Sequence, residues 1–252
     1  MLRPYARVRL LQQGAFMSFT TFYFGMDSSA VAPWPDCFPK TDRFYIGCIG
    51  GADGTWATDF ETATALAVGT ETTSSYWSLA GPVGAPEGAT AWGETQANAF
   101  ITAWTSGTYA SYVGGTTMFG DIESGNAGWV GSTHADCQAL IHGFLTVLNN
   151  YDGGDVLFPG LYISEANWNT YIGTYTSPVP FVLWLAGTSC PTSCSAAETA
   201  FNDTITDTVL GGYRAMIWQY WEVSAKGCAT SGNDLDITPY SGFLTGHWNA
   251  TT

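Results

Sequence analysis

Eight short β-rich runs, which alternate with helical patterns, limit the folds that this chain can adopt. Several of the runs are almost continuously apolar, which is typical of strands that are covered on both faces. Such strands, alternating with helices over about 230 residues, have the size and rhythm of a (β/α)8 barrel, an α/β fold. The predicted strands are Thr21–Met26, Arg43–Ile49, Thr72–Trp77, Thr116–Ile122, Gly160–Ser164, Pro180–Ala186, Tyr213–Tyr220 and Asp234–Ile237.

Helical patterns lie between these runs, and the clearest is Ala135–Leu148. Its apolar residues form a stripe along one side, and Ser132 or Thr133 can cap its first turn. Weaker patterns predict further helices at Asp59–Val68, Glu94–Trp104, Glu165–Tyr171 and Ala196–Ile205.

The domain organisation follows from what lies between these elements. No long linker, charge block or internal repeat divides the chain, so we predict one barrel domain over residues 18–252, after an N-terminal tail or upstream extension over residues 1–17. The Gly-rich and polar segments 79–93 and 222–233 are predicted as loops. Pro33-Trp34-Pro35 opposes a helix, which predicts an irregular first crossover.

The charge of the chain argues against nucleic acid as a partner, and its cysteine content favours a secreted or cell-surface location. Seven Lys and Arg stand against 21 Asp and Glu, so the chain lacks the basic footprint of a nucleic-acid binder. No apolar stretch is long enough for a membrane span. The six cysteines predict a secreted or cell-surface protein with disulfides, in which Cys190 could pair with Cys194 and Cys37 with Cys48. No His lies near a Cys pair at ligand spacing, so no metal site is predicted. No other cofactor is predicted either.

Acidic residues fall at the ends of three separate predicted strands. Asp27 ends the first, Asp121 and Glu123 end the fourth, and Asp234 and Asp236 belong to the last. The carboxyl ends of barrel strands meet at one face, where the chemistry of this fold is found. The sequence therefore predicts that these acids share one pocket.

Asp121 and Glu123 are the most informative pair, because residues i and i+2 of a strand point to one face with Cα atoms roughly 6.5–7 Å apart. Two carboxylates so close cannot both ionise cheaply, so the pKa of one should rise. This arrangement suits a general acid beside a charged partner, as glycoside cleavage requires. A solvated strand end or an acidic cation site is the alternative interpretation of the same spacing.

Aromatic residues at strand ends favour a sugar site. Tyr76-Trp77 ends the third strand, Trp184 lies in the sixth, and Trp218-Gln219-Tyr220-Trp221 ends the seventh. Aromatic faces cover the apolar surface of a sugar, and the hydroxyl, indole and amide groups bond its hydroxyls. The alternative is that most of these rings only pack the core.

Taken together, these motifs resemble those of the family 25 glycoside hydrolases, which are muramidases, and of related glycoside-hydrolase-like domains of unknown activity. The resemblance extends over roughly residues 20–240 and follows the family's order. The matching pieces are Gly25-Met26-Asp27-Ser28-Ser29, Phe119-Gly120-Asp121-Ile122-Glu123, Pro159-Gly160-Leu161-Tyr162-Ile163-Ser164 with Trp168, Leu183-Trp184-Leu185-Ala186, and Ile217-Trp218-Gln219-Tyr220 followed by Asp234-Leu235-Asp236.

The resemblance implies a role for each acid. Glu123 would be the general acid and Asp121 its assisting carboxylate, while Asp27 and Asp234 would orient the pair and bind sugar hydroxyls. Asp236 stands where the family commonly has Asn, which would add a negative charge near the site. The predicted substrate contacts are Tyr76, Trp77, Tyr162, Trp184, Gln219, Tyr220 and Asp236.

The function expected from this set is cleavage of a β-1,4-linked, N-acetylated glycan such as peptidoglycan, without a cofactor. The partner is then a polysaccharide, and the oligomeric state cannot be read from the sequence. A carbohydrate-binding pseudoenzyme on the same barrel is the alternative, because the same aromatic residues and acids would bind sugar without cleaving it.

Overall fold

The computed structural model describes residues 19–28, 43–52, 72–106, 116–152, 157–187, 191, 193–221 and 234–239. The predicted tail over residues 1–17, the helix Asp59–Val68, the loop 222–233 and the Pro33-Trp34-Pro35 turn lie outside these residues and stay predictions. The strands are β1 (Tyr23–Ser28), β2 (Arg43–Gly51), β3 (Thr72–Ser78), β4 (Thr116–Ile122), β5 (Leu157–Ser164), β6 (Val182–Ala186), β7 (Val209–Leu210), β8 (Tyr213–Trp221) and β9 (Asp234–Thr238).

The strands close into an eight-stranded barrel, which confirms the predicted α/β barrel fold. Strands β1 to β6 follow one another in parallel, and β8 pairs with β6 in parallel to close the ring through β9. The short β7 pairs only with β8. The predicted strands correspond in order to the eight strands of the ring.

The last strand differs from a regular (β/α)8 barrel, because β9 is antiparallel to both β1 and β8. Only residues 222–233 separate β8 from β9 in the chain. A parallel crossover needs a dozen or more residues and is usually built around a helix, so this connection is at the lower limit for one. As a result β9 presents its amino end, instead of its carboxyl end, at the face where the other seven strands of the ring finish.

Four helices cover the described part of the barrel. They are α1 (Ala89–Ser106), α2 (His134–Asn149), α3 (Glu165–Asn167), which continues as a π-helical turn over Trp168–Ile172, and α4 (Cys194–Asp203), followed by a 3-10 turn over Ile205–Asp207.

Helix α2 confirms the clearest prediction, and α1 corrects another. The Oγ1 atom of Thr133 caps α2 by accepting from the Asp136 amide at 3.2 Å. Helix α1 begins at Ala89, inside the segment predicted as a loop. Gly93 lies within this helix. A glycine is needed at this position, because a Cβ atom there would lie 2.1 Å from the carbonyl oxygen of Leu140 in α2. The glycine that suggested a loop instead permits a close crossing of two helices.

Two apolar clusters form the core, because successive side chains of a strand point to opposite faces. The larger cluster lies between the barrel and its helices. The smaller cluster fills the barrel interior below the carboxyl ends of the strands and forms the floor of the site. Its buried members are Phe44, Ile46, Phe119, Tyr162, Val182, Trp184, Met216 and Ile217.

The described cysteines change the disulfide prediction. Cys48 is a buried free thiol whose Sγ contacts the Gly50 carbonyl at 3.8 Å, so the predicted bridge from Cys37 to Cys48 is not formed. Cys194 is not in a disulfide either, so the predicted bridge from Cys190 to Cys194 is not formed. Cys37, Cys190 and Cys228 themselves lie outside the described residues. Among the described helices, none is long and apolar enough to cross a membrane.

Candidate active site

Three strands bring four predicted acids to one rim of the barrel. Asp27 lies at the end of β1, Asp121 lies near the end of β4, and Glu123 follows β4 directly. Asp234 is the first residue of β9 and pairs across the sheet with Asp27. Asp234 lies at this rim because β9 runs in the reverse direction, so that its first residue lies beside the carboxyl end of β1. From the sequence alone, the carboxyl end of the strand is expected there.

Gln219 of β8 joins the first and last strands of the ring. Its Nε2 donates to Asp27 Oδ1 at 3.1 Å and to Asp234 Oδ2 at 3.2 Å. Its Oε1 accepts from the Tyr162 hydroxyl at 2.5 Å, which fixes which end of the amide faces the acids. Only 2% of Gln219 is exposed, so water does not compete for these bonds.

Asp121 and Glu123 have different environments, because β4 ends at Ile122 and Glu123 lies just beyond the strand. Asp121 is 7% exposed and Glu123 is exposed to solvent. Burial raises the pKa of Asp121 well above its usual range, and the negative charges of Glu123 and Asp27 raise it further. A hydrogen bond from Asn126 opposes part of this effect. The predicted rise in pKa thus falls on the buried member of the pair.

Two asparagines that the sequence reasoning missed hold the backbone around Glu123. Asn126 Nδ2 donates to the Asp121 carbonyl at 3.0 Å, and the Asn126 amide donates to the Glu123 carbonyl at 3.1 Å. Asn167 Nδ2 donates to the Ile122 carbonyl at 3.4 Å. The only sequence signal was the Glu-Ser-Gly-Asn segment after the strand, which is typical of a turn.

Asp27 and Asp236 form a second acidic pair, deeper in the barrel. Burial raises the pKa of Asp27 well above its usual range, the charge of Asp234 adds to this, and the hydrogen bond from Gln219 opposes it. Asp236 is completely buried, and burial followed by the charge of Asp27 raises its pKa as well. The extra negative charge expected at Asp236 is therefore suppressed at the pH where an exposed Asp is ionised.

The predicted aromatic residues divide between the two faces of the sheet. Tyr76 and Tyr162 lie inside the barrel against Trp184, with ring centroids 6.1 and 4.4 Å from it. Trp77 instead stacks on Phe100 of α1 at 5.6 Å, outside the barrel. Tyr220 also packs in the outer cluster. Trp77 and Tyr220 are therefore not brought to the pocket, because each follows an inward-facing residue on its strand.

The acids of the site gather without an evident metal centre. Within the described ranges, no group of three or more His, Cys, Asp or Glu side chains is arranged to hold a metal ion. The chemistry that these residues can perform themselves is proton transfer and charge stabilisation by paired carboxyls.

No model of a known protein family matches the sequence, and no curated protein matches it. Similarity is found among solved structures. The spore cortex lytic enzyme SleM of Clostridium perfringens superposes with a TM-score of 0.59 at 16% identity, over 93% of this chain and 71% of that one.

Two further structures agree with it. A family 25 glycosyl hydrolase from Bacillus anthracis gives a TM-score of 0.55 at 14% identity, over 90% of this chain and 94% of that one. The modular autolysin LytC from Streptococcus pneumoniae, solved in complex with a synthetic peptidoglycan ligand, gives 0.55 at 13% identity. This match covers 86% of the present chain and 46% of LytC. The chain therefore has the barrel fold of these proteins, as its motifs predicted.

Proposed function

We propose that this protein is a glycoside hydrolase that cleaves a β-1,4-linked, N-acetylated glycan, with peptidoglycan as its substrate. The observation that carries the proposal is the pair formed by buried Asp121 and exposed Glu123 at the rim of the barrel. Glycoside cleavage uses one carboxyl that carries a proton at the working pH and a second that carries charge. The raised pKa of Asp121 supports a shared proton in this pair.

Asp121 and Glu123 divide the chemistry between them. Because burial and the charge of Glu123 raise the pKa of Asp121, the two carboxyls together retain a proton above the ordinary carboxyl range. When Glu123 holds the proton, its exposed carboxyl can deliver it to the leaving oxygen. Asp121 is then ionised, with its charge favoured by Asn126, and stabilises the positive charge at the anomeric carbon.

Asp27, Asp234 and the inward-facing aromatic residues hold the sugar in this proposal. Gln219 aligns the two carboxylates, whose remaining lone pairs can accept from sugar hydroxyls. Tyr76 packs against the apolar floor, of which Tyr162 is a member, and both supply ring surface for the sugar. The likeness to LytC, whose structure contains a peptidoglycan ligand, supports this substrate class.

The proposed function also implies a cellular location for the protein. Peptidoglycan lies outside the cytoplasmic membrane, so its cleavage requires a secreted or cell-surface protein. The formal net charge of −14 adds no basic surface that would favour nucleic acid instead.

The experiment is product analysis by mass spectrometry with several peptidoglycans, chitin oligomers and other acetylated glycans. Wild-type protein should release new reducing ends from peptidoglycan. Glu123→Gln should lower turnover by about 10²- to 10⁴-fold, because it removes the transferable proton and keeps the side-chain shape. Glu198→Gln on helix α4 makes the same chemical change away from the rim and should keep wild-type turnover.

The outcomes separate the two functions that the sequence allows. Product from wild type and from Glu198→Gln, with almost none from Glu123→Gln, supports hydrolysis with Glu123 as the acid. Glycan binding without product from any protein contradicts the hydrolase and favours the carbohydrate-binding pseudoenzyme. Equal turnover by Glu123→Gln and wild type refutes the role given to Glu123.

A further inference from the structure

Asp236 is a carboxyl group enclosed by the barrel. Its exposed fraction is 0%, and it pairs with Gly25 of β1 and Gln219 of β8 in the strand register. A buried carboxylate costs several kcal/mol unless it is paired or hydrogen-bonded. Its Oδ1 meets this requirement by accepting from Trp184 Nε1 at 2.8 Å.

The second oxygen of Asp236 has a different neighbour. Within the described part of the chain, Oδ2 is buried and receives no hydrogen bond from an N–H or O–H donor. The strand register places Asp236 opposite Gly25, two residues from Asp27 on the same face of β1, and the side chains of Asp27 and Asp236 interact there. Two ionised carboxylates in such contact repel each other, whereas one proton between them turns the contact into a hydrogen bond.

The surroundings decide which carboxyl keeps that proton. Asp27 already accepts from Gln219, whose amide is held in one orientation by Tyr162. A bond from an amide donor favours the ionised form of the carboxyl that accepts it. Asp236 lies deeper and has a neutral indole as its other partner, so the proton belongs on Asp236.

We propose that Asp236 is a positioning residue that acts through Asp27. Its protonated carboxyl accepts from Trp184 with one oxygen and donates to Asp27 with the other. Asp27 is thereby oriented by two donors, Asp236 and Gln219. The proposal rests on the proposed function, because it gives Asp27 a role in binding the sugar.

The groups facing this pair come from every neighbouring strand of the barrel. Asp234 lies on the same strand as Asp236, and its charge acts on both members of the pair. The groups that interact electrostatically with Asp27 are Glu123, Asp121, Tyr76, Tyr162 and Cys48. Strands β8 and β6 contribute Gln219 and Trp184, which do not titrate. The negative charges among these neighbours are carboxylates, which favour a proton within the pair, whereas the raised pKa values of Tyr162 and Cys48 keep these two groups neutral.

Difference infrared spectroscopy tests the protonation without any substrate. At about pH 6, where an exposed carboxyl is ionised, the spectrum of wild type minus Asp236→Asn should contain the carbonyl band of a protonated acid. The band should shift in D2O. Asp203→Asn, which changes an exposed Asp at the end of helix α4, should reveal only ionised carboxylate bands. Absence of the protonated band at Asp236 overturns the proposal.

Kinetics tests the positioning role. Asp236→Asn can still accept from Trp184 and donate to Asp27, so it should keep at least about a third of kcat. Asp236→Leu has a similar volume and no donor, and it should lower kcat by about 10- to 100-fold, the loss expected for a hydrogen bond to a charged group. The rescue by Asn separates positioning from mere packing, provided that near-UV circular dichroism shows both variants folded.

The two proposals fail in different ways. If wild type cleaves no glycan while the infrared band is present, the proposed function fails and the shared proton stands. If wild type is active and folded Asp236→Asn is as impaired as Asp236→Leu, the hydrolase stands and the positioning role fails. If Asp236→Leu does not fold, the infrared band and the Asn variant still decide the outcome.

Discussion

At the scale of single residues, the site depends on how Gln219 is oriented. Its amide nitrogen bonds two carboxylates from different strands, at 3.1 and 3.2 Å. A flipped amide would turn its oxygen toward Asp27 and Asp234 and would replace two attractions with two repulsions. The Tyr162 hydroxyl prevents this by donating to the amide oxygen. Tyr162 therefore contributes to the geometry of the acids without contacting them.

Tyr162→Phe tests this dependence. Removal of the hydroxyl deprives Gln219 of the donor that fixes its amide, so kcat should fall by about 3- to 10-fold, the worth of a neutral hydrogen bond. Tyr23→Phe, at the opposite end of β1, should leave kcat unchanged. Steady-state kinetics on the glycan found to be cleaved is the measurement. A Tyr162→Phe enzyme with wild-type kcat would contradict the orienting role.

The sequence could predict some of these residues and not others. Asp27, Asp121, Glu123 and Asp234 stand out because acids are rare beside apolar strand runs. The choice between Tyr76 and Trp77 could not be made, because the other residues of β3 are all Thr or Ser and their pattern does not indicate which side chains face inward.

At the scale of elements, helices α1 and α2 cross closely because each has a glycine that lies against the backbone of the other helix. A Cβ atom at Gly93 would lie 2.1 Å from the Leu140 carbonyl oxygen, and one at Gly143 would lie 2.3 Å from the Thr90 carbonyl oxygen. Both contacts are with backbone, which cannot move aside as a flexible side chain can. The apolar stripe of α2 was readable from sequence, whereas this crossing depends on a partner helix that local patterns do not reveal.

Gly93→Ala tests the crossing. In an isolated helix the change would stabilise by about 1 kcal/mol, because alanine has the higher helix propensity. Here the clash should reverse the sign and lower the free energy of unfolding by about 1–3 kcal/mol. Gly88→Ala, which meets nothing within 4 Å, should change it by less than about 0.5 kcal/mol. Urea denaturation gives both values, and a stabilised Gly93→Ala protein would refute the tight crossing.

At the scale of the whole molecule, acidity sets the pH at which the fold is most stable. Burial raises the pKa values of Asp27, Asp121 and Asp236 well above the ordinary value of an aspartate. Between that value and the raised ones, the folded protein binds more protons than the unfolded chain. Stability is therefore greatest in acid and is lost as the pH rises through the raised pKa values, and the net charge of −14 acts in the same direction.

The midpoint of urea denaturation between pH 4 and pH 8 tests this sign. The free energy of unfolding should decrease with rising pH, by up to about 1.4 kcal/mol per pH unit for each proton held only in the folded state. Asp236→Asn should make the decrease less steep, because it removes one of those protons. Asp203→Asn, at an exposed position, should leave the slope as it is. A protein that becomes more stable from pH 4 to pH 8 would contradict the buried protonated acids.

The antiparallel β9 also fixes when the site can come into being during synthesis. Asp27 leaves the ribosome early and Asp234 late, yet the two are neighbours across the sheet. Until β9 has emerged, β1 and β8 cannot be joined and Gln219 has only one of its two carboxylates. The same strand that closes the barrel supplies the last acid of the candidate site, so this site is complete only once the barrel has closed.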